Sequence, residues 1–260
     1  MTTVGDYEIL SEIGKGRFSV VYKAQHQQTQ QICAIKETTL NPADLHLLPT
    51  IQREVDLLRQ LDHPNIVKVL DCINTKRKVY VILENAQKGD LLRVMRQRGA
   101  PFEEEAVGGV ARQVLAGLAY LHERNIIHRD LKAANLLLTE DNVIKLADFG
   151  TARVVDAQKS MTVIGTPYWM APEIIELEVS GVAADVWSLG CTCVELVQGK
   201  PPYFDMPTMT ALFRICEDEH PPLPLGVSPK MVDFLLRCFV KDPKLRATVQ
   251  VLLKHPWVKE

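Results

Sequence analysis

The segment "NIIHRDLKAANLLL", residues 125–138, encloses charged and amide side chains between two apolar runs. These side chains belong to His128, Arg129, Asp130, Lys132 and Asn135. A buried charge must be paired, hydrogen-bonded or bound to a metal ion, because an uncompensated one costs several kcal/mol. The apolar flanks are therefore interpreted as anchors, and the charged centre as a working site.

A second segment, "IGKGRFSVVYKA" (13–24), places Gly14 and Gly16 in a turn between two strand-like runs. Without side chains in the way, backbone N–H groups there can approach phosphates. A dinucleotide fingerprint would need a helix after the turn, whereas "VVYKA" is β-branched and aromatic, which is typical of a strand. The pattern favours a hairpin that covers a nucleotide, and a tight turn without a ligand is the evenly weighted alternative.

Two charges lie among apolar neighbours. On a strand, Ala34 and Lys36 share one face, which is expected to point towards a cleft. Glu54 lies on the apolar stripe of a predicted helix over residues 49–61. Pairing Lys36 with Glu54 would relieve the cost of both charges. The alternative is a snorkelling lysine and a glutamate at the edge of the stripe that never meet.

The segment "VIKLADFG" (143–150) delivers Asp148 at the end of an apolar strand, followed by Phe149, which can pack. A carboxylate at a strand end near phosphates is a natural Mg²⁺ ligand. Asp148 lies thirteen residues after Asn135 and eighteen after Asp130. A glycine turn, a lysine, a glutamate, His-Arg-Asp with its asparagine and then Asp-Phe-Gly follow in the order and spacing of the protein-kinase signature set.

The chain from residue 7 to 257 therefore resembles the eukaryotic protein kinases. The resemblance implies that Asp130 orients the substrate hydroxyl and accepts its proton, and that Lys132 neutralises charge on the transferred phosphoryl group. It also implies that Asn135 and Asp148 hold Mg²⁺. Phosphoryl transfer depends mostly on positioning and electrostatics, so a packed cluster of charge suits this chemistry.

The resemblance also implies a site for ATP. Lys36, held by Glu54, is expected to bind the α- and β-phosphates. Leu83 is expected to be the gatekeeper, the backbone of Glu84 to Ala86 to read adenine, and Asp90 to contact the ribose. The other residues expected to line this site are Ile13, Gly14, Lys15, Gly16, Val21, Ala34 and Leu137.

Three further residues are expected to stabilise the fold. In kinases the glutamate of "APE", here Glu173, pairs with an arginine, and Arg246 in "KDPKLRAT" is the expected partner. Asp185 in "DVWSLG" resembles the buried helix carboxylate that holds the catalytic-loop backbone.

The loop between Asp-Phe-Gly and "APE" carries several hydroxyl groups. The resemblance implies that Thr166 contacts the catalytic aspartate and lysine. Thr162 is therefore the predicted activating phosphorylation site, and Ser160 is the second candidate. Arg129 and Arg153 are expected to converge on that phosphate, which would order the loop through charge-assisted hydrogen bonds. The alternative is that both arginines only satisfy local carbonyls and carboxylates.

The motifs "HRDLKAAN" and "GTPYWMAPE" are of the Ser/Thr type. They resemble the sterile group that contains the MAP kinase kinase kinases, and in particular septation-initiation and mitotic-exit network kinases and plant epsilon-type MAP kinase kinase kinases. Thr151 after Asp-Phe-Gly predicts a preference for threonine acceptors. Two departures are Ser19 in place of the third loop glycine, and Ala134 in place of an acidic residue that attracts a substrate arginine.

Periodicity predicts the elements that position these residues. Alternating strand-like runs dominate up to about residue 83, and Thr50 is the expected N-cap of the helix that interrupts them. Helical periodicity dominates beyond residue 90, as in 103–125. The predicted class is α+β with two lobes: a small antiparallel β-sheet lobe with one key helix, and a larger, mainly helical lobe. The predicted bounds are 7–257 for the domain, about 7–84 for the N-lobe, 84–90 for the hinge and 91–257 for the C-lobe.

Composition sets the remaining expectations. With 260 residues and a net charge of −2, the chain has no electrostatic footprint for nucleic acid or an anionic membrane. Its six cysteines form no C-x-x-C pair, which indicates free thiols in a reducing compartment. The apolar stretch 182–199 is interrupted by Asp185 and Glu195, so a buried core helix is favoured over a membrane span. A cytoplasmic location is expected, with the spindle pole or division site implied by the resemblance.

The expected partners are a protein substrate with a Ser or Thr acceptor, and an upstream kinase or a second copy for trans-autophosphorylation. Regulatory regions outside this chain are also expected. A pseudokinase scaffold is the main alternative, although the residues that such proteins usually lose, Lys36, Asp130, Asn135 and Asp148, are all present. A small-molecule phosphotransferase is disfavoured because "MTVIGTPYWMAPE" resembles a peptide-positioning loop.

Overall fold

A computed structural model describes residues 2–16, 19–41, 48–75, 77–148, 167–177 and 181–259, with only the backbone at positions 50, 53 and 54. The described residues form two compact units, and the chain passes from the first to the second after Gln87. The first contains a β-sheet and one helix, and the second is mainly helical. The predicted two-lobed α+β fold is confirmed.

The first unit is an antiparallel sheet in the order β1-β2-β3-β4-β6-β5. Its elements are β1 Thr3–Val4, β2 Tyr7–Lys15, β3 Ser19–His26, β4 Ile32–Thr39, α1 Leu48–Arg59, β5 Val69–Asn74 and β6 Lys78–Glu84. One face of the sheet packs into a core around Ala24, Cys33, Ile35 and Ile82. The alternation of strand side chains therefore leaves the even-numbered positions of β4 on the other face.

Two boundaries differ from the sequence prediction. Thr50 is not the N-cap of α1, because the helix already begins at Leu48 and Pro49 occupies its first turn, where proline is well tolerated. The run "NIVKVLDCI" (65–73) predicts a strand from Asn65, but β5 starts only at Val69. Ile66 is buried ahead of that strand, and a short apolar run does not by itself distinguish a strand from other buried segments.

The second unit contains a small antiparallel sheet in the order β7-β8-β9 and a set of helices. Its elements are β7 Gly89–Asp90, α2 Leu91–Arg98, α3 Glu104–His122, β8 Leu136–Leu138, β9 Ile144–Leu146, α4 Pro172–Ile175, α5 Ala183–Gln198, α6 Thr208–Glu217, α7 Pro229–Cys238, α8 Val249–Leu252 and α9 Pro256–Lys259. None of the helices described is long and apolar enough to cross a membrane.

Helix α5 is the centre of this unit. Every residue from Ala184 to Leu196 is buried, so the predicted core helix is confirmed. Its contact with α7 is close at Gly190, where an added Cβ would lie 2.7 Å from the ring of Phe239 and 2.9 Å from Cβ of Cys238. A side chain there would force the two helices apart. Because α5 is held on all sides, groups that hydrogen-bond to it are rigidly positioned.

Candidate active site

Asp130 lies in the segment between α3 and β8, and its carboxylate is held by two neighbours. Lys132 Nζ lies 3.0 Å from Oδ1 and 2.8 Å from Oδ2. Asn135 Nδ2 donates to Oδ2 at 2.8 Å and to the main-chain oxygen of Asp130 at 2.7 Å. The Asp130 side chain is nevertheless 40% exposed. The carboxylate is therefore fixed in orientation and still open to an incoming hydroxyl group.

Asp148 lies close to this cluster through the backbone. The N–H of Ala147 donates to the main-chain oxygen of Asn135 at 2.9 Å, and Asp148 follows directly after Ala147. Asp148 has φ of 62°, a left-handed conformation that is uncommon for a non-glycine residue and is concentrated at functional sites. Asn135 and Asp148 therefore lie on adjacent, hydrogen-bonded segments, and their side chains carry oxygen atoms, the ligand type that Mg²⁺ prefers.

The backbone before Asp130 is held by Asp185, which is 1% exposed in α5. Its Oδ1 accepts the N–H of Arg129 at 2.8 Å, and its Oδ2 accepts the N–H of His128 at 2.9 Å. His122 Nε2 lies 2.8 Å from the same Oδ2. Arg129 has φ of 71°, so this carboxylate holds a strained backbone in place immediately before Asp130.

Two more residues of α5 hold the same loop, and the sequence argument did not assign a role to either. Thr192 Oγ1 donates to the main-chain oxygen of Leu131 at 3.3 Å or of Ser188 at 2.7 Å. Glu195 Oε2 accepts the N–H of Ala133 at 2.9 Å. The signal was present in the sequence: positions 185, 192 and 195 are polar, lie in an otherwise apolar helix and share one helical face.

Glu195 also binds the indole N–H of Trp169, at 3.0 Å from the same Oε2. Its side chain joins the catalytic loop to the segment before "APE". Burial raises the pKa of Glu195 to about 7, although the hydrogen bonds from Ala133 and Trp169 and the charge of Lys132 act in the opposite direction. Near neutral pH this carboxyl group is therefore only partly ionised.

Glu173 and Arg246 form a buried bidentate ion pair. Arg246 Nη1 donates to Oε1 of Glu173 at 2.7 Å, and Nη2 donates to Oε2 at 2.9 Å. The remaining guanidinium donors reach the carbonyl oxygens of Val240, Ala183 and Lys241. All five donors of the guanidinium group are used, which compensates for its removal from water.

In the first unit, Lys36 is 8% exposed and lies on the sheet face opposite the core. It pairs in register with Val21 on β3 and with Val81 on β6, and Ala34 pairs with Leu83. Directly paired residues of an antiparallel ladder share a face, so Lys36 lies among Val21, Ala34 and Leu83. The side chain of Glu54, its predicted partner, lies outside what the structure describes.

The glycine-containing turn is shorter than predicted. Gly14 lies within β2, paired with Val21, and Lys15 pairs with Val20. Only Gly16 remains for the turn, where its N–H donates to the main-chain oxygen of Ser19 at 2.8 Å. A Cβ added at Gly14 would make ordinary contact with Val21 at 3.7 Å, so packing within this unit does not require a glycine there. Close approach of a phosphate to the backbone remains a reason for glycine at position 14.

The other residues predicted to contact ATP have these positions. Ile13 is 41% exposed on β2. Glu84 Oε1 accepts the N–H of Lys68 at 2.7 Å, and Ala86 is half-buried. Asp90 is the N-cap of α2, accepting the N–H of Arg93 at 2.8 Å, and it pairs across the small sheet with Leu137.

The predicted activation-segment residues lie outside the described residues. They are Phe149, Thr151, Arg153, Ser160, Thr162 and Thr166.

A family model described as "Protein kinase domain" matches residues 7–258. The chain belongs to the protein kinase family. The predicted resemblance to eukaryotic protein kinases is thereby confirmed.

Individual relatives narrow the placement within the kinases. Cytokinesis protein sepH of Aspergillus niger is 48% identical over 97% of this chain, and cell division control protein 7 of Schizosaccharomyces pombe is 46% identical over 95%. MAP3K epsilon protein kinase 1 of Arabidopsis thaliana is 44% identical over 97%. The aligned regions make up 19%, 23% and 19% of these proteins, so the chain spans about a fifth of their length.

A kinase domain implies the use of ATP and a divalent metal ion, and a protein as substrate. The residues present fit these groups. In the second unit, Asn135 and Asp148 carry oxygen ligands on adjacent, hydrogen-bonded segments. In the first, Lys36 lies on an apolar sheet face beside Val21 and Ala34. The residues that pseudokinases usually lose, Lys36, Asp130, Asn135 and Asp148, are all present in the chain.

Proposed function

We propose that this chain is the catalytic domain of a serine/threonine protein kinase that transfers the γ-phosphoryl group of ATP to protein hydroxyls. The observation that carries the proposal is the carboxylate of Asp130, bound by Lys132 and Asn135 and still open to solvent. A general base must lie within hydrogen-bonding distance of the proton that it accepts, and a carboxylate that is both fixed in orientation and accessible supports this role for Asp130.

Each residue has a defined task in this scheme. Asp130 orients the hydroxyl group of the substrate and accepts its proton. Lys132, which bridges both oxygens of Asp130, neutralises negative charge beside the reacting oxygen. Lys36 binds the phosphates of ATP, and Asn135 and Asp148 hold Mg²⁺. The bound Mg²⁺ would supply positive charge that stabilises the developing negative charge on the phosphate oxygens.

The signalling pathway in which this chain acts, and its regulation, are also proposals. Relatives are named for cytokinesis, cell division control and MAP3K function, and these names support a role in a MAP kinase kinase kinase-like or cell-division cascade, in the cytoplasm or at the spindle pole or division site. Regulatory regions outside this chain, an upstream kinase or trans-autophosphorylation would control it. Phosphorylation of Thr162 is the proposed activating event.

Threonine is the proposed preferred acceptor, because Thr151 is a β-branched residue after Asp-Phe-Gly. Matched peptide libraries that differ only in Ser or Thr at the acceptor position test this preference. Faster phosphorylation of the threonine library is expected, and a clear serine preference would reject the assignment.

The proposed chemistry is tested by Asp130→Asn. Loss of a general base lowers kcat by about 10²- to 10⁴-fold, and binding of ATP is expected to stay nearly unchanged. The assay measures phosphorylation of a generic protein substrate at saturating ATP and Mg²⁺, beside a direct ATP-binding measurement. Unchanged turnover in the variant would reject the role of Asp130.

A further inference from the structure

Glu195 is a buried carboxyl group that connects two segments around the catalytic centre. It is 3% exposed in α5. Its Oε2 atom accepts the N–H of Ala133 at 2.9 Å and the indole N–H of Trp169 at 3.0 Å. Hydrogen bonds to an ionised acceptor are about twice as strong as those to a neutral one. The strength of this connection therefore depends on whether Glu195 is ionised.

The connection to Ala133 leads directly to the catalytic groups. Ala133 begins a 3₁₀ turn that ends at Asn135. Lys132, just before this turn, and Asn135, at its end, are the two residues that hold the carboxylate of Asp130. The first N–H of such a turn has no partner within it, and Ala133 is 0% exposed. A weaker bond to Glu195 therefore leaves a buried donor poorly satisfied and allows the turn to move.

Charged groups on several elements act on the ionisation of Glu195. The charged and titratable groups around it are Lys132 in the catalytic loop, Asp90 and Arg96 on α2, Lys200 after α5 and Cys191 on α5 itself. Burial raises the pKa of Glu195 to about 7, and Asp90 acts in the same direction. The bonds from Ala133 and Trp169 and the charge of Lys132 lower this pKa. Arg96 and Lys200 are exposed, so water screens them, and burial keeps the Cys191 thiol neutral by raising its pKa.

We propose that Glu195 is a positioning residue whose ionisation switches the catalytic loop from a weakly active to an active arrangement, so that kcat rises from mildly acidic to mildly alkaline pH. The inference rests on the proposed kinase function. The carboxylate holds the turn through a charge-assisted hydrogen bond. The protonated group holds it less firmly, and misplacement of a catalytic group by about 1 Å costs on the order of 10²-fold in rate. Glu195 acts through the backbone of Ala133 rather than on the reacting atoms.

A purely structural role of Glu195 predicts the opposite dependence on pH. The folded chain binds the proton of Glu195 more tightly than the unfolded chain does, so the stability that Glu195 contributes falls as pH rises. If activity only followed stability, kcat would fall over the same range. A kcat that rises while stability falls therefore distinguishes positioning from stabilisation.

The first test compares kcat of the unmodified chain and of Glu195→Gln, with saturating ATP, Mg²⁺ and one protein substrate. Glutamine accepts hydrogen bonds through a neutral oxygen at every pH. With a pKa of about 7, about a tenth of the Glu195 carboxyl groups are ionised at about pH 6 and about nine tenths at about pH 8. The ratio of the two kcat values is therefore expected to rise by about tenfold over this range. Effects of pH on ATP and on other residues cancel in the ratio, and a constant ratio would overturn the inference.

Trp169→Phe is the second variant, because it removes one donor to Glu195 and keeps an aromatic ring. The indole N–H lowers the pKa of Glu195, so its loss is expected to move the midpoint of the kcat profile up by about half a pH unit or more. Trp257→Phe is the matched control, since Trp257 is also buried and donates its indole N–H to Glu104 at 3.0 Å. The control is expected to leave the midpoint unchanged. Equal midpoints for both variants would contradict the assignment.

The ionisation of Glu195 can also be measured without phosphorylation. The chain contains three tryptophans, so a proton–nitrogen correlation NMR spectrum contains three indole N–H signals. The Trp169 signal, identified by its loss in Trp169→Phe, is expected to shift with a midpoint at about pH 7 in the unmodified chain and not in Glu195→Gln. A Trp169 signal that does not titrate near this pH would overturn the inference.

The outcomes separate this inference from the proposed function. Phosphorylation with a constant kcat ratio overturns the role of Glu195 and leaves the kinase function intact. Absence of phosphorylation at every pH overturns the kinase function, and with it the control of kcat, even if the Trp169 signal titrates. If Glu195→Gln does not fold, the kcat midpoints of Trp169→Phe and Trp257→Phe decide the question.

Discussion

The replacement Asp185→Asn tests how α5 positions the catalytic loop. The carboxylate is 1% exposed and its two oxygens receive the backbone N–H groups of His128 and Arg129, with His122 as a third neighbour. Asparagine has the same shape but only one acceptor oxygen, so its NH₂ group would face a donor in the core. An unsatisfied buried donor costs about 1–3 kcal/mol, and the added repulsion makes a loss of about 3 kcal/mol in unfolding free energy the expected result.

The same replacement is expected to lower catalysis. Without its hydrogen bond, Arg129 can relax from φ of 71°, and Asp130 moves with it. Misplacement of a catalytic group by about 1 Å costs on the order of 10²-fold, so kcat is expected to fall by about that factor. Urea unfolding measures the stability, and phosphorylation of a generic protein substrate measures kcat.

Asp233→Asn is the matched control for this experiment. Asp233 is likewise a helix carboxylate with several partners, here the side chains of Arg237 at 2.9 Å and His255 at 2.7 Å. It is 53% exposed and lies in α7 rather than beside the backbone of residues 128–130. Exposed ion pairs contribute about 1 kcal/mol or less, so a small loss of stability and an unchanged kcat are expected. If Asp185→Asn were no more damaging than Asp233→Asn in both assays, the positioning role of Asp185 would be refuted.

Three further replacements extend the account. Glu195→Gln removes a carboxyl group whose pKa is about 7 in the folded chain and about 4.5 in the unfolded chain. Between these pH values the folded state binds more protons than the unfolded state. The stability contributed by Glu195 therefore falls as pH rises from 4.5 to 7, by up to about 3 kcal/mol. Urea unfolding of both proteins across that range should show a steeper fall for the unmodified chain, and parallel curves would contradict the assignment. Arg246→Lys cannot reproduce the bidentate pair with Glu173, so thermal or urea unfolding should show a loss of about 3–5 kcal/mol, and a loss below 1 kcal/mol would count against it. Thr162→Ala is expected to give a weakly active chain that an upstream kinase does not rescue, as measured by phosphate incorporation into substrate, and full activity with no phosphate on the loop would exclude Thr162 as the switch.

Much of the fold could be predicted from the sequence, because the signals are either local patterns or motifs that follow one another in a fixed order along the chain. The kinase motifs follow one another at fixed spacings, and the strands of the first unit alternate apolar and polar residues, so neither needed knowledge of distant contacts. The buried helix α5 was predicted from its apolar run, and Asp185 stood out as a charge within it. The Arg246 pairing with Glu173 came from resemblance, since 73 residues separate the partners.

What the sequence did not predict depends on contacts between distant residues. Thr192 and Glu195 lie on the same face of α5 as Asp185, but periodicity does not reveal what that face meets. The partner of Glu195 is the backbone N–H of Ala133, a group that every residue except proline carries and that no side-chain pattern marks. Gly14 was assigned to a turn, yet it lies in β2, because glycine permits both conformations.

The proposed activity of this chain is the transfer of a phosphoryl group from ATP to serine or threonine. The most direct measurement incubates it with γ-labelled ATP, Mg²⁺ and a generic protein substrate, and then identifies the labelled amino acids after hydrolysis. Label on phosphothreonine and phosphoserine, and its reduction by at least about 10²-fold with Asp130→Asn, is the predicted result. Absence of label in the substrate, or equal labelling by the Asp130→Asn variant, would contradict the account.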